Sequence, residues 1–80
     1  MSNYQLITGS EAAAELVPAS VAYDNHIVPL RILVDTLIVA AASPITTETQ
    51  ERLHFILNRN VRGVIRTAEW IAVRLHELYD

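Results

Sequence analysis

The chain has no cysteine and no lysine, only two glycines, and no apolar run longer than six residues. Each absence removes a class of chemistry. Without cysteine there is no disulfide, no thiolate nucleophile and no thiolate metal site, and the composition fits a reducing compartment. A phosphate-binding loop needs Gly-x-x-x-x-Gly-Lys-Ser/Thr, because a close glycine backbone and a lysine ammonium cradle the phosphates. With glycines only at Gly9 and Gly63 and no lysine, that loop cannot be written, so a nucleotide-hydrolysing motor is excluded. The longest apolar run, Leu37 to Ala42, is far short of the ~20 residues of a spanning helix. The start, MSNYQLITGSE, has no basic region followed by an apolar stretch, so no secretory signal is read there and a cytoplasmic chain is expected. Six arginines against nine acidic residues give a net charge of −3, which argues against a nucleic-acid surface.

What remains is 80 residues that are 51% hydrophobic, enough for one small core without a metal or disulfide staple. Residues 1–9 are polar and read as a loosely held lead-in, with a single domain over 10–80. Ser10 is a plausible N-cap for an alanine-rich helix from Glu11 to Leu16. Pro18 interrupts it and opens a second short helix to about Asp24, with Val17, Val21 and Ala22 facing inward and Asn25 stopping it. Ile27–Leu33 and Thr36–Ala42 are rich in Ile, Val and Leu and read as an antiparallel hairpin. Val34-Asp35 is a poor type I′ pair, so a slightly longer connection is expected. Pro29 lacks a backbone donor and places its strand at a sheet edge or a bulge.

After Ser43-Pro44, the run Thr47-Glu48-Thr49-Gln50 matches a capping box for a third helix, which Asn58 or Asn60 ends. Val61 to Arg66 reads as a third strand. Thr67 then caps a helix from Ala68 to Tyr79, with Ala68, Ile71, Ala72, Leu75, Leu78 and Tyr79 on its core face. The order α-α-β-β-α-β-α predicts an α+β, two-layer fold: a three-stranded sheet, made of the hairpin plus one strand, packed against helices.

Few residues carry chemistry. His26, His54 and His76 lie far apart with no His-x-x-x-His pair, so no metal site, cofactor or catalytic set is expected. Arg62 and Arg66 share a side of the third strand by its period of two, and Arg31 joins them if it faces the open side of the sheet. Such a cluster suits a phosphate or a carboxylate-rich partner. Charge that discourages edge pairing is the plainer reading and is preferred. On the last helix Trp70 lies away from the core face, near Val73. On the preceding helix Phe55 lies opposite Leu53, Ile56 and Leu57. Left exposed, these aromatics would mark an interface; folded over their helix edges they would cover core, which is the preferred reading for Phe55.

The spacing Leu16-Val17-Pro18-x-x-Val21-Ala22, then His26-Ile27-Val28-Pro29-Leu30, then Asp35-Thr36-Leu37-Ile38-Val39-Ala40 and Ser43-Pro44, resembles a known module. Leu53 to Leu57, Val61-x-x-Val64-Ile65 and Leu78-Tyr79 continue the match. The chain resembles the N-terminal domain of type II secretion and type IV pilus assembly ATPases, in its C-terminal α/β part. Two departures stand out: Ala41-Ala42-Ser43 before the proline, and Asn60 near the family's helix-ending glycine. The resemblance implies a non-catalytic cytoplasmic adaptor that docks an ATPase onto a membrane platform, with a protein partner and no membrane insertion of its own. Some members bind cyclic di-guanylate through Arg-Leu-Gly repeats in a preceding subdomain. This chain has no Arg-Leu-Gly, so that ligand is not expected. The alternatives are a small-ligand sensor for a nucleotide second messenger, resting on Arg31, Arg62 and Arg66, and a KH-like RNA-binding domain, which would need a Gly-x-x-Gly loop that is missing.

Overall fold

Short-range signals place most of the elements in the computed structural model, which describes residues 12–79. Helix α1 (Ala12–Leu16) leads into α2 (Ala19–Asn25), with Pro18 as its N-cap. The hairpin strands are β1 (Ile27–Leu33) and β2 (Thr36–Ala41). Helix α3 (Thr47–Leu57), strand β3 (Asn60–Ile65) and helix α4 (Ala68–Tyr79) complete the order. The fold is α+β, as the residue pattern predicts. The lead-in over residues 1–9, the Ser10 cap and Glu11 lie outside the described residues. No helix among the described residues is long and apolar enough to cross a membrane.

Side chains and backbone handedness set the helix ends. Thr46 Oγ1 accepts from the Thr49 N–H at 3.1 Å, so the cap of α3 sits one residue before the expected Thr47. Asn58 ends the same helix in the left-handed region at φ 57°, and His26 ends α2 at φ 53°. Thr67 caps α4 as expected, its Oγ1 accepting from the Trp70 N–H at 3.1 Å.

The sheet order is β1-β2-β3, with β1 antiparallel and β3 parallel to the central β2. Strand β2 carries Leu37, Val39 and Ala41 on one face, all buried, in register with Val61, Gly63 and Ile65 of β3. Ile45 closes over this face: a Cβ built on Gly63 would stand 2.7 Å from its Cδ1, so a larger residue there would make the Ile45 side chain shift. Leu53, the one buried residue of α3, joins the same core as Ile27, Val39 and Val61. The opposite face has three cross-strand rows: Val28–Ala40–Val64, Arg31–Ile38–Arg62 and Leu33–Thr36–Asn60. In the first row Val28 and Ala40 are fully buried; the other two rows open toward the hairpin tip.

Pro29 fulfils both of its expected roles, since β1 is an edge strand and its register shifts between Pro29 and Arg31. The bulge has a further effect. Without it, strict alternation would put Arg31 on the face of Ile27 and Pro29, which is buried. The extra residue, Leu30, changes the phase and delivers Arg31 to the open face opposite Ile38.

The hairpin turn corrects an expectation. The connection is two residues, not longer, because Leu33 pairs directly with Thr36. Val34 takes φ 57°, while Asp35 is not in the positive region. That sign pattern fits a type II′ turn, which favours glycine at the first central position. A β-branched residue there is strained, by roughly 1–2 kcal/mol on the general scale for left-handed backbone. Val34 is also 96% exposed and recovers nothing by packing. Val34→Gly should therefore stabilise the chain by about 0.5–1 kcal/mol after glycine's larger entropy loss. Thermal unfolding followed by circular dichroism should show a rise of a few degrees; a fall would mean that Val34 is not strained.

The free edge of β3 is covered at two points. The Arg66 N–H donates to the Ala41 carbonyl at 2.9 Å, so Arg62, Val64 and Arg66 turn their peptide groups toward β2. Val61, Gly63 and Ile65 turn theirs outward. Gln50 Nε2 donates to the Val61 carbonyl at 2.7 Å, and Arg66 Nη1 to the Ile65 carbonyl at 2.8 Å. Gln50 thus serves the sheet edge rather than reaching back to its helix terminus, as a capping box would require.

Candidate functional site on the open half of the sheet

The six candidate residues fall into three places. Arg31 and Arg62 share one row, flanking Ile38, and both are exposed. Among the described residues neither guanidinium has a hydrogen bond or an ion pair. Adjacent strands lie about 4.8 Å apart, so the two Cα atoms stand about 10 Å apart across β2. Both guanidinium groups can converge above Ile38 or spread to either side of it.

Arg66 does not join them. It lies beyond the end of β3, bonded to the Ile65 carbonyl, with its guanidinium carbon 5.8 Å from the centroid of the Trp70 ring. This contact is a cation–π pair. Trp70 itself is partly buried against the core cluster, so it covers apolar surface and is not a free aromatic. Val73, further along α4, is 52% exposed.

Phe55 corrects the preferred reading. It does not fold over its helix edge but stands 88% exposed. The α3 core face is met by Leu53, and Leu57 packs partly against the cluster, so no apolar neighbour is left to draw the ring inward. Phe55 lines a shallow cavity of about 360 Å³ with Thr47, Gln50, Glu51, His54, Asn60 and Val61. His54 Nδ1 lies 3.0 Å from the Arg59 carbonyl; a carbonyl only accepts, so this nitrogen carries the proton.

A second cavity, of about 270 Å³, lies between α2 and α4 and is lined by Tyr23, His26, Ala42, Ala68, Ile71, Ala72 and Leu75. Ala68 and Ala72, expected on the core face of α4, are exposed beside it, because the short α2 does not reach over them. Next to it Tyr79 Oη donates to the Val17 carbonyl at 3.0 Å, and the Tyr23 and Tyr79 rings meet at 6.1 Å. Burial, and secondarily Tyr23, raises the Tyr79 pKa, so the phenol keeps its proton and this contact through the ordinary tyrosine range and loses them only at still higher pH. The site residue that sequence reasoning did not name is Ile38. Its signal was present only as one apolar residue among many in β2; Pro29 hints at a bulge, but that the bulge makes Ile38 the floor between two arginines shows only in the register of three strands.

Comparison with known proteins decides the family. Residues 5–80 match the profile of the MshEN domain. The chain belongs to the MshEN domain family. MshEN is the N-terminal domain of type II secretion and type IV pilus assembly ATPases, so the resemblance read from the hairpin and its flanking helices holds. Among solved structures the chain is similar to the structure of MshE with cdg, cyclic di-GMP. The TM-score is 0.76 at 22% identity, over 90% of this chain and 52% of that one. The likeness is one of fold, and the chain spans about half the length of that structure. No curated protein matches the chain.

The MshE structure corrects one expectation. The missing Arg-Leu-Gly argues against cyclic di-guanylate, yet a protein of the MshEN fold is solved with that ligand. The absence of a short motif tests only one way of presenting arginine. It is silent about guanidinium groups that a sheet register brings together.

Proposed function

We propose that this MshEN domain is a non-catalytic regulatory module, acting in the cytoplasm, that binds a cyclic dinucleotide and passes the signal on through a protein contact. The observation that carries the reading is the fold shared with MshE, whose structure holds cyclic di-GMP. Two features of this chain support it. A chain of net charge −3 keeps Arg31 and Arg62 exposed on one face, where they are open to an anion. Phe55 is exposed at a concave surface on α3, where an aromatic ring suits a protein contact better than solvent. The non-catalytic part rests on a sequence in which no phosphate-binding loop and no thiol nucleophile can be written.

Isothermal titration of the 80-residue chain with cyclic di-GMP tests the reading. A saturable heat that diminishes with added salt is expected, since phosphate contacts at an exposed surface are screened. No heat and no change in the amide spectrum at millimolar dinucleotide would overturn it.

A further inference from the structure

We infer that the Arg31–Ile38–Arg62 row is the phosphate-binding surface of this domain, and that it takes the phosphates of a nucleotide second messenger with the base laid along the row behind it. The assignment to a nucleotide rests on the function proposed above; the assignment of the row to phosphate rests on the sheet.

Three observations converge. First, the register puts the two guanidinium groups on the same face at either side of one partly buried isoleucine, and the Leu30 bulge is what brings Arg31 there. Guanidinium forks match phosphate oxygens in a bidentate manner, and they are less strongly hydrated than an ammonium, so an exposed pair gives up little on binding. Second, neither arginine is occupied among the described residues, a condition shared with Arg59 alone, whereas Arg52, Arg66 and Arg74 each bond a protein oxygen. Third, the surroundings suit the remainder of a nucleotide. No carboxylate stands in the three rows of this face. The row next to the arginines holds Leu33, which is 46% exposed, with Thr36 and Asn60. Leu33 and Ile38 offer an apolar floor to the flat face of a base, while the Asn60 carboxamide and the Thr36 hydroxyl offer donors and acceptors to its edge.

Amide spectra of the isotope-labelled chain, titrated in parallel with cyclic di-GMP and with sodium pyrophosphate, test the inference. Both ligands should shift the amides of residues 31, 38 and 62, and only the dinucleotide should also shift those of 33 and 60. The double variant Arg31→Ala/Arg62→Ala should bind either ligand about tenfold more weakly or worse. Arg62→Lys alone should recover part of the affinity but not the bidentate geometry. Both positions are exposed, and unchanged thermal unfolding of the variants serves as the control for folding. Dinucleotide binding with shifts confined to other residues, or with affinity unchanged in the double variant, would overturn the inference and leave the proposed function standing. Pyrophosphate shifts at the row without dinucleotide binding would do the reverse. If neither probe shifts any residue of the chain, as expected of a face that instead receives an acidic protein segment, both fall.

Discussion

Leu53→Ala should remove a large part of the stability of this domain. Leu53 is fully buried and is the only buried residue of α3. Truncating a buried leucine costs the lost transfer free energy plus that of the cavity left behind, about 3–5 kcal/mol. A chain of 80 residues has roughly 4–12 kcal/mol in total. At about 4–8 °C per kcal/mol for a domain of this size, the midpoint of thermal unfolding should fall by more than ~12 °C. The polar anchor of the helix, Gln50 on the Val61 carbonyl, cannot replace the lost packing, because one hydrogen bond contributes only about 1 kcal/mol net. Circular dichroism on heating checks this. A fall of less than ~5 °C would mean that α3 does not depend on the core for its position.

Ala40→Leu tests the other face of the sheet. Ala40 sits on the central strand between Val28 and Val64, with no exposed surface. A leucine adds three carbons where packing leaves none free, so its side chain must leave its preferred rotamer or displace the neighbouring elements. Overpacking of this kind costs about 1–3 kcal/mol. The same row adjoins Arg31–Ile38–Arg62, so displaced packing should also appear as chemical-shift changes at residue 38. A variant as stable as the parent would show that the buried half of this face is loosely filled.

Local chemistry made most of the fold legible. Apolar runs gave the strands to within a residue, Thr67 and one of Asn58 and Asn60 marked helix limits, and Pro29 pointed to an edge or a bulge, of which the structure has both. The turn at Val34 departs from the expected length because turn statistics count the residue's preference, whereas the register of two apolar strands outweighs a strain of roughly 1–2 kcal/mol. The exposure of Phe55 departs from expectation for a related reason. Helical spacing says which residues share a face, but not whether a neighbour is near enough to receive a ring. The candidate site was only half legible. Two exposed arginines could be read from the sequence, and Arg66 was wrongly grouped with them, because period-two alternation says nothing about where a strand ends. That Arg31 joins Arg62 depends on one extra residue in β1, and its consequence appears only when three strands are aligned.

The side chains at the margin of β3 bear on how this domain can be crowded. A bare strand margin is a template on which another extended chain can add itself, and copies held close together would meet such margins often. Here the outward carbonyls at both ends of the strand are already taken, one by the Gln50 amide and the other by the Arg66 guanidinium, and the β1 margin is broken by a proline and a bulge. Copies of this domain brought close together would therefore find fewer open acceptors along these margins on which their sheets could fuse.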